Sequence, residues 1–282
     1  MRGRRFTVDR DIALLLADDP PAPAGGHAVV VPCCGNADEF SALTESGHPL
    51  LRFDTRNRGG SDSVSRPTDL GFAAEASDLS ALCDTAELTT VDLVAWSYHV
   101  AAAVQFALDH PDRVRRLVLA ASLPTHTTAP MGPGKEPSPS ELAHLDQLQA
   151  AGVPSRDPEA WCRAWREVYV PLRMGVPEAF SGLAPVCHLP NEQPQNVVRT
   201  VVAVLSDLHP YDWRPQLRSL ELPVLVVHGT ADPDPVDLAR EWVQLLPDAR
   251  LLEIDGVGTI PWMEAPERFF GVVNRFLRGE SV

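Results

Sequence analysis

The stretch LVAWSYHVAAAVQFALDHPDRVRRLVLAAS, residues 93–122, decides the fold of this chain. Its first part completes an apolar run over 91–96, which predicts a buried strand. An alanine-rich run over 100–110 predicts a helix, and the apolar residues at 116–121 predict the next strand. Ser97 therefore lies on a tight turn between a strand and a helix.

The rest of the chain repeats this alternation on both sides of Ser97. Phe72 and Leu79 belong to an apolar set at spacings of three and four, with Glu75 and Asp78 between its members, which predicts an amphipathic helix. Alternating strands and helices predict an α/β fold with a mainly parallel sheet, whose ligands bind beyond the carboxyl ends of the strands. The other predicted elements are strands at 27–31, 50–53, 222–229 and 250–254, and helices at 236–246 and after Pro266.

Residues 126–207 interrupt this alternation. Prolines and glycines between 124 and 139 break any regular element, so they predict a connection into an inserted segment. The residues that follow carry helical spacings and no strand-like run. We therefore predict a core formed by residues 1–125 and 208–282, a helical lid at 126–207, and a pocket under that lid.

Composition restricts the partners. The chain has 38 acidic and 24 basic residues, and this net charge of −14 repels nucleic-acid phosphates and anionic lipids. We expect a small-molecule substrate, no nucleic-acid or membrane partner, and no cofactor, while the oligomeric state stays open. The apolar run at 12–17 is too short for a signal peptide or a membrane span, which favours a cytoplasmic protein. Five cysteines without paired spacing favour reduced thiols and no metal site. They are Cys33, Cys34, Cys83, Cys162 and Cys187.

A serine on a strand-to-helix turn presents its hydroxyl above the sheet, where the next N–H and the helix N-terminus face a developing oxyanion. The chain around this turn resembles the serine-nucleophile branch of the α/β-hydrolase fold superfamily. The resemblance extends over most of residues 27–282 outside the lid and implies an α/β-hydrolase fold with an inserted helical lid. It is carried by residues 93–122, FDTRNRGGSD at 53–62, PVLVVHGTADP at 223–233 and DGVGTIPWMEAPERF at 255–269.

The resemblance also implies roles for single residues. Ser97 corresponds to the nucleophile, and Asp232 to the acid that orients an imidazole. The oxyanion donors correspond to the backbone N–H groups of Cys34 and Tyr98. Thr259 stands where the superfamily carries its histidine, and a threonine hydroxyl cannot accept a proton at neutral pH. Ser97 is then an unactivated alcohol, so we expect no fast hydrolysis through an acyl-enzyme.

Several residues are candidates for the missing parts of the site. The turn that carries Ser97 corresponds to the nucleophile elbow of the superfamily, and His99 replaces a glycine of this elbow two residues from Ser97. His99 is either a relocated base or a residue packed beside the helix start. Trp161 and Trp165 stand one helical turn apart, so they either line a substrate pocket or pack the lid on the core. Four histidines in or near the lid are further candidates for the base. They are His126, His144, His188 and His209.

Three functions are compatible with these residues. The first is an α/β-hydrolase-like enzyme that acts on a small carbonyl or ester substrate with an incomplete Ser-His-Asp triad. The second is a non-hydrolytic lyase or cyclase that uses the oxyanion pocket for elimination, ring closure or carbon–carbon cleavage. The third is a ligand-binding member of the fold without catalytic turnover.

Overall fold

The computed structural model describes residues 4–8, 12–18, 26–122, 135–208 and 211–282, and eight strands within these ranges form one sheet. The strands are β1 (Arg4–Thr7), β2 (Ala13–Leu16), β3 (Gly26–Pro32), β4 (Leu50–Asp54), β5 (Leu88–Trp96), β6 (Val114–Ala120), β7 (Val224–Gly229) and β8 (Ala249–Ile254).

The strand order across the sheet is β1-β2-β4-β3-β5-β6-β7-β8. β3 to β8 pair in parallel, whereas β1 pairs antiparallel with β2 and β2 antiparallel with β4. The predicted mainly parallel sheet is therefore confirmed. β5 lies centrally between β3 and β6, and the carboxyl ends of these three strands meet at one edge, where Ser97 lies.

Helices cover both faces of the sheet, because successive residues of a buried strand point to opposite sides. Val30 of β3 belongs to the core formed with the helices over 72–85, 99–109 and 236–245, whereas Val29 and Val31 belong to the core formed with the helices over 261–264 and 266–277. The helices are α1 (Phe72–Thr85), α2 (His99–Asp109), α3 (Pro139–Ala150), α4 (Val153–Arg156), α5 (Pro158–Tyr169), α6 (Pro194–Leu208), α7 (Arg214–Leu217), α8 (Val236–Leu245), α9 (Pro261–Glu264) and α10 (Pro266–Leu277).

The N-terminal strands were missed by the sequence patterns. Each of β1 and β2 has four residues, and Leu14 and Leu16 of β2 are buried while Ala13 and Leu15 are partly exposed. The run at 12–17 is therefore a short half-buried strand that joins the sheet through β4. Among the described residues, none of the helices combines the length and the apolar character that a membrane span requires.

The residues between β6 and β7 that the structure describes are helical, as their spacing predicted. They contain α3 to α6 and short 3₁₀ turns, and no strand is found from 135 to 208. Most of the proline-rich connection predicted at 124–139 lies outside the described residues, as do His126 and His209. Function of this segment as a lid stays a prediction.

The cysteines differ from the sequence-based expectation of five reduced thiols. Cys162 on α5 and Cys187 form a disulfide with a Cα–Cα distance of 5.6 Å, so the expectation is wrong for this pair. The two residues are 25 positions apart, and their approach depends on how the chain folds back after α5. Cys33, Cys34 and Cys83 are free and buried.

Candidate active site

Ser97 lies at the carboxyl end of β5, where the chain turns into α2. Its φ of 53° is in the left-handed region, which a non-glycine residue adopts only where the surrounding structure imposes it. The Ser97 N–H donates to the Ala120 carbonyl at 2.9 Å and so holds the turn against β6. The residue is partly exposed, and no other described residue hydrogen-bonds its hydroxyl. The turn thus presents an accessible serine that no side chain in the described ranges activates.

Two backbone N–H groups beside this turn are free to bind a ligand. Cys34 follows β3 with a φ of 49°, and Tyr98 is the N-cap residue of α2. The two residues are neighbours, since Cys34 Sγ lies 3.9 Å from Tyr98 Oη. Within the described part of the chain neither N–H donates to another residue. Both are therefore available in the way that an oxyanion donor has to be.

Asp232 follows β7 and is hydrogen-bonded to the threonine that stands at the histidine position. Thr259 Oγ1 donates to Asp232 Oδ1 at 3.0 Å, and the Asp234 N–H donates to the same oxygen at 3.0 Å. The other carboxylate oxygen, Oδ2, is buried without a hydrogen-bond partner among the described residues. Burial raises the pKa of Asp232 above its ordinary value. A carboxylate that could orient an imidazole is therefore present, but a neutral hydroxyl occupies the place of that imidazole.

The loop that carries Thr259 is held against the inserted helical segment. The Thr259 N–H donates to the Arg173 carbonyl at 3.0 Å, and the Arg173 guanidinium pairs with Asp234 at 2.7 Å. His228, in β7 below this loop, has its Nε2 2.9 Å from the Asp234 carbonyl oxygen. The surroundings of Asp232 are thus fixed from both the core and the inserted segment.

His99 is turned toward Cys34 and Glu75. Its Nε2 lies 3.1 Å from Cys34 Sγ and its Nδ1 lies 3.0 Å from Glu75 Oε2, so both ring nitrogens are engaged. The imidazole is buried, which by itself would lower its pKa, but the sulfur of Cys34 and the Glu75 carboxylate raise the pKa of His99 to about 9. The structure therefore does not bring this histidine to Ser97 as a base.

Glu75 and Asp78 on α1 are buried, although they fall between the apolar residues of the repeat. Both are paired: Glu75 contacts His99, and Asp78 accepts from Arg56 Nε at 2.6 Å. The signal in the sequence was an acid inside the apolar repeat of α1 together with a histidine at a position where the superfamily has glycine. Each was interpretable only once the two helices were placed side by side.

A buried ion pair joins the loop after β4 to the inserted segment. Arg58 pairs with Glu192 at 2.8 Å and also donates to the Tyr98 hydroxyl, while the Gly59 N–H donates to Glu192 at 2.7 Å. Glu192 is another residue that the sequence patterns missed. Because a buried charge is costly without a partner, this pair holds residues 58, 98 and 192 together beside the elbow.

The remaining predicted residues lie in the inserted segment. Trp161 and Trp165 are partly buried, and Trp165 stacks on Tyr169 with ring centroids 4.6 Å apart. Neither tryptophan lines the cavity of about 220 Å³ that lies between α5 and residues 180–188. His144 and His188 are exposed, and neither is hydrogen-bonded to Ser97.

One group of possible metal ligands occurs among the described residues, at the opposite end of the strands. It consists of His27, His48 and Asp92, whose ligand atoms lie within 4.8 Å of one another. The Arg115 guanidinium already lies 2.9 Å from Asp92 and 3.1 Å from His48 Nε2. Since a resident guanidinium compensates the charge of Asp92, this group is an internal ion pair with two histidines rather than an open cation site.

Comparisons with known proteins place the chain in a family. A sequence profile of the alpha/beta hydrolase family matches residues 21–272, and the protein belongs to this family. A pimeloyl-[acyl-carrier protein] methyl ester esterase of Aromatoleum aromaticum is 30% identical over 188 residues, which are 65% of this chain and 72% of that protein. A Bacillus subtilis protein assigned as a 2-succinyl-6-hydroxy-2,4-cyclohexadiene-1-carboxylate synthase is 22% identical over 277 residues, 96% of this chain and 97% of that one.

A solved structure extends the likeness in fold to the whole chain. The esterase RhEst1 from Rhodococcus sp. ECU1013 superposes with a TM-score of 0.70 at 22% identity, covering 100% of both chains. The predicted α/β-hydrolase fold is therefore confirmed, and esterases are among the relatives of this protein.

Proposed function

We propose that the protein is an enzyme that binds a small ester or carbonyl compound against Ser97 and acts on it without a histidine base at that serine. The observation that carries this proposal is the 3.0 Å hydrogen bond from Thr259 Oγ1 to Asp232 Oδ1, because it fills the imidazole position with a group that cannot take a proton. The esterase-type relatives support the substrate class.

In this proposal the N–H groups of Cys34 and Tyr98 polarise the substrate carbonyl, and the Ser97 hydroxyl hydrogen-bonds to it. Main-chain donors survive changes of side chain, so the oxyanion site is independent of the loss of the histidine. In a serine protease of another fold, removal of the triad costs about 10⁶ in turnover but leaves roughly 10³–10⁴ over water. Ester hydrolysis through Ser97 is accordingly slow.

A non-hydrolytic reaction is the second candidate. Elimination, ring closure and carbon–carbon cleavage depend on enclosure and carbonyl polarisation more than on a serine nucleophile. The similarity to the synthase of Bacillus subtilis favours this candidate, since it runs over nearly the full length of both chains. A ligand-binding protein without catalytic turnover is the third candidate, and an absence of turnover in enzyme assays would favour it.

The inserted segment is proposed to act as a lid over Ser97, with Trp161 and Trp165 contributing to the wall of the substrate pocket. A cytoplasmic location stays part of the proposal, although a disulfide such as Cys162–Cys187 is more usual in oxidising compartments. The redox state of this pair in freshly lysed cells, read by differential thiol labelling, tests the location.

The substitution Thr259→His tests the proposal. If the elbow, the oxyanion donors and Asp232 are in working geometry, an imidazole at this position raises kcat/KM on p-nitrophenyl acetate by about 10²-fold or more. The matched control is the same change in a Ser97→Ala background, where no gain is expected. Failure of T259H to exceed the parent protein, in a variant with unchanged circular dichroism, would overturn the assignment of Ser97 and Asp232 to one site.

A further inference from the structure

Three ionisable side chains form a buried row beside the elbow that the proposed function does not use. Cys34 Sγ, the two ring nitrogens of His99 and Glu75 Oε2 follow one another at 3.1 and 3.0 Å. All three residues are nearly inaccessible to solvent. They come from the turn after β3, the first turn of α2 and the first turn of α1, so the tertiary fold brings them together.

This row has the arrangement by which proteins activate a nucleophile. A nucleophile lies within hydrogen-bond reach of a base, and a third group orients that base. Here Glu75 fixes the Nδ1 side of the imidazole, which leaves Nε2 directed at the sulfur. His99 Nε2 is therefore placed to take the thiol proton as the sulfur attacks a carbonyl carbon.

The other free thiols of the chain provide the contrast. Cys33 and Cys83 are also fully buried, and for both desolvation is the main effect on the thiol. It raises the pKa of Cys83 to about 12 and the pKa of Cys33 well above its ordinary value. Of these three thiols, Cys34 is the one with an imidazole against its sulfur.

We propose that Cys34 is a second nucleophile of this protein, activated by His99 and Glu75, and that it accepts the acyl group of a small activated ester. The sulfur attacks the carbonyl carbon, so a C–S bond forms while the bond from that carbon to the leaving oxygen breaks. The leaving oxygen takes the proton of the His99 imidazolium. Water then attacks the thioester and His99 accepts its proton. The C–S bond breaks, the carboxylic acid leaves, and the sulfur takes the proton back from His99.

The inserted segment packs on the turn that carries Cys34. A Cβ atom added to Gly35 would overlap the Leu189 side chain and lie 3.3 Å from Val186 Cγ1, so this stretch covers the turn that carries Cys34. Cys187 lies within the same stretch and is tied to Cys162 on α5. We expect acylation of Cys34 to require displacement of residues 186–189 from this turn.

The test compares three thiols within one protein. The Ser97→Ala variant is treated with p-nitrophenyl acetate, quenched in acid and digested, and acetylation of each thiol is measured by mass spectrometry with fragment ions that separate Cys33 from Cys34. Iodoacetamide serves as a second probe in case the thioester hydrolyses too fast to accumulate. We expect Cys34 to react at least about 10-fold faster than Cys33 and Cys83, because a thiolate and not a thiol is the reactive species.

Two variants separate activation from mere accessibility. His99→Gln, which keeps a hydrogen-bonding side chain, reduces the Cys34 rate to that of Cys33, and Glu75→Gln gives an intermediate rate. Between about pH 6 and about pH 8 the Cys34 rate in H99Q stays below that of the protein that keeps His99, and it rises with pH as the rate of an ordinary thiol does. The charged and titratable groups that face Cys34 and His99 in this experiment are Glu75, Tyr98, Arg58 and Glu192.

The proposal is overturned if Cys34 reacts no faster than Cys33 and Cys83 in the Ser97→Ala protein, a comparison among three thiols of one folded chain. It is also overturned if H99Q retains the parent rate and pH profile in a protein with unchanged circular dichroism. The experiment is independent of the proposed function, since it is carried out without the Ser97 hydroxyl and detects covalent chemistry at another atom.

Discussion

The elbow carries two polar groups that are incomplete in opposite ways. Around Ser97 the hydroxyl is partly exposed, but Thr259, which donates to Asp232, stands where a base would be. Around Cys34 the relay of sulfur, imidazole and carboxylate is continuous, but the sulfur is fully covered. A working nucleophile needs both an activating base and access to the substrate. Here Ser97 has the access, and Cys34 has the base beside it.

The largest expected effect concerns the missing base at Ser97. A serine-directed fluorophosphonate labels the parent protein slowly, because the hydroxyl has no base, and T259H accelerates labelling by about 10²-fold or more. The rate is read from intact mass over time, with Ser97→Ala as the control that must not label. Rapid labelling of the parent protein would show that some other group already serves Ser97 as a base.

Most of the fold could be predicted from the sequence because its signals are local. The apolar run before Ser97, the alanine-rich helix after it and the later strand at β7 each decide their own conformation by periodicity and turn residues. β1 and β2 could not be found in this way, since four-residue strands contain too few residues to show a period of two. These strands depend on pairing, since β2 pairs with β4 and β1 pairs with β2.

The candidate site was only partly predictable, for the same reason. Short motifs are enough to find Ser97, Asp232 and the replacement of the histidine by Thr259. The partners of His99 lie 24 and 65 positions away in the chain, so no spacing in the sequence connects them. The Cys162–Cys187 disulfide was missed because the approach of its two residues also depends on tertiary structure.

Loss of the disulfide is the next largest effect, and it acts on access to Cys34. The double variant Cys162→Ser with Cys187→Ser releases residues 186–189 and lowers the free energy of unfolding by about 2–4 kcal/mol. Because this stretch covers the Cys34 turn, we expect alkylation of Cys34 by iodoacetamide to accelerate while that of Cys83 changes little. Equal acceleration at both thiols would indicate general loosening and contradict a specific cover.

The pH dependence of stability tests the charge state of the Cys34 group. The pKa of His99 is raised in the folded protein to about 9, against an ordinary value near 6.5 in the unfolded chain. The stabilisation from this imidazolium is fully present below about pH 6.5 and is lost as the pH rises through about 9. Urea midpoints measured across this window should fall toward alkaline pH in the parent and fall less in H99Q. Identical slopes in the two proteins would rule out a buried imidazolium.

The smallest effect concerns Asp232. Its raised pKa means that the folded protein holds the proton more tightly than the unfolded chain, so this carboxylate costs stability at neutral pH and the cost disappears as the pH falls. Asp232→Asn keeps an oxygen to accept from Thr259 and from the Asp234 N–H, while it removes the charge next to the unpartnered Oδ2. We expect the free energy of unfolding to change by less than about 1 kcal/mol at neutral pH, since two hydrogen bonds are retained.

The Glu75→Gln variant provides the matched comparison, because there the lost charge leaves the buried His99 imidazolium without its counterion. We expect this change to cost about 3 kcal/mol or more, as breaking one side of a buried pair does. The two isosteric changes thus compare Asp232, whose cationic neighbour Arg173 lies 3.8 Å away, with Glu75, which lies 3.0 Å from the His99 imidazole. Equal losses of stability, measured by urea unfolding of both variants under one buffer condition, would mean that the two carboxylates are equally well paired and that the contrast between the groups is wrong.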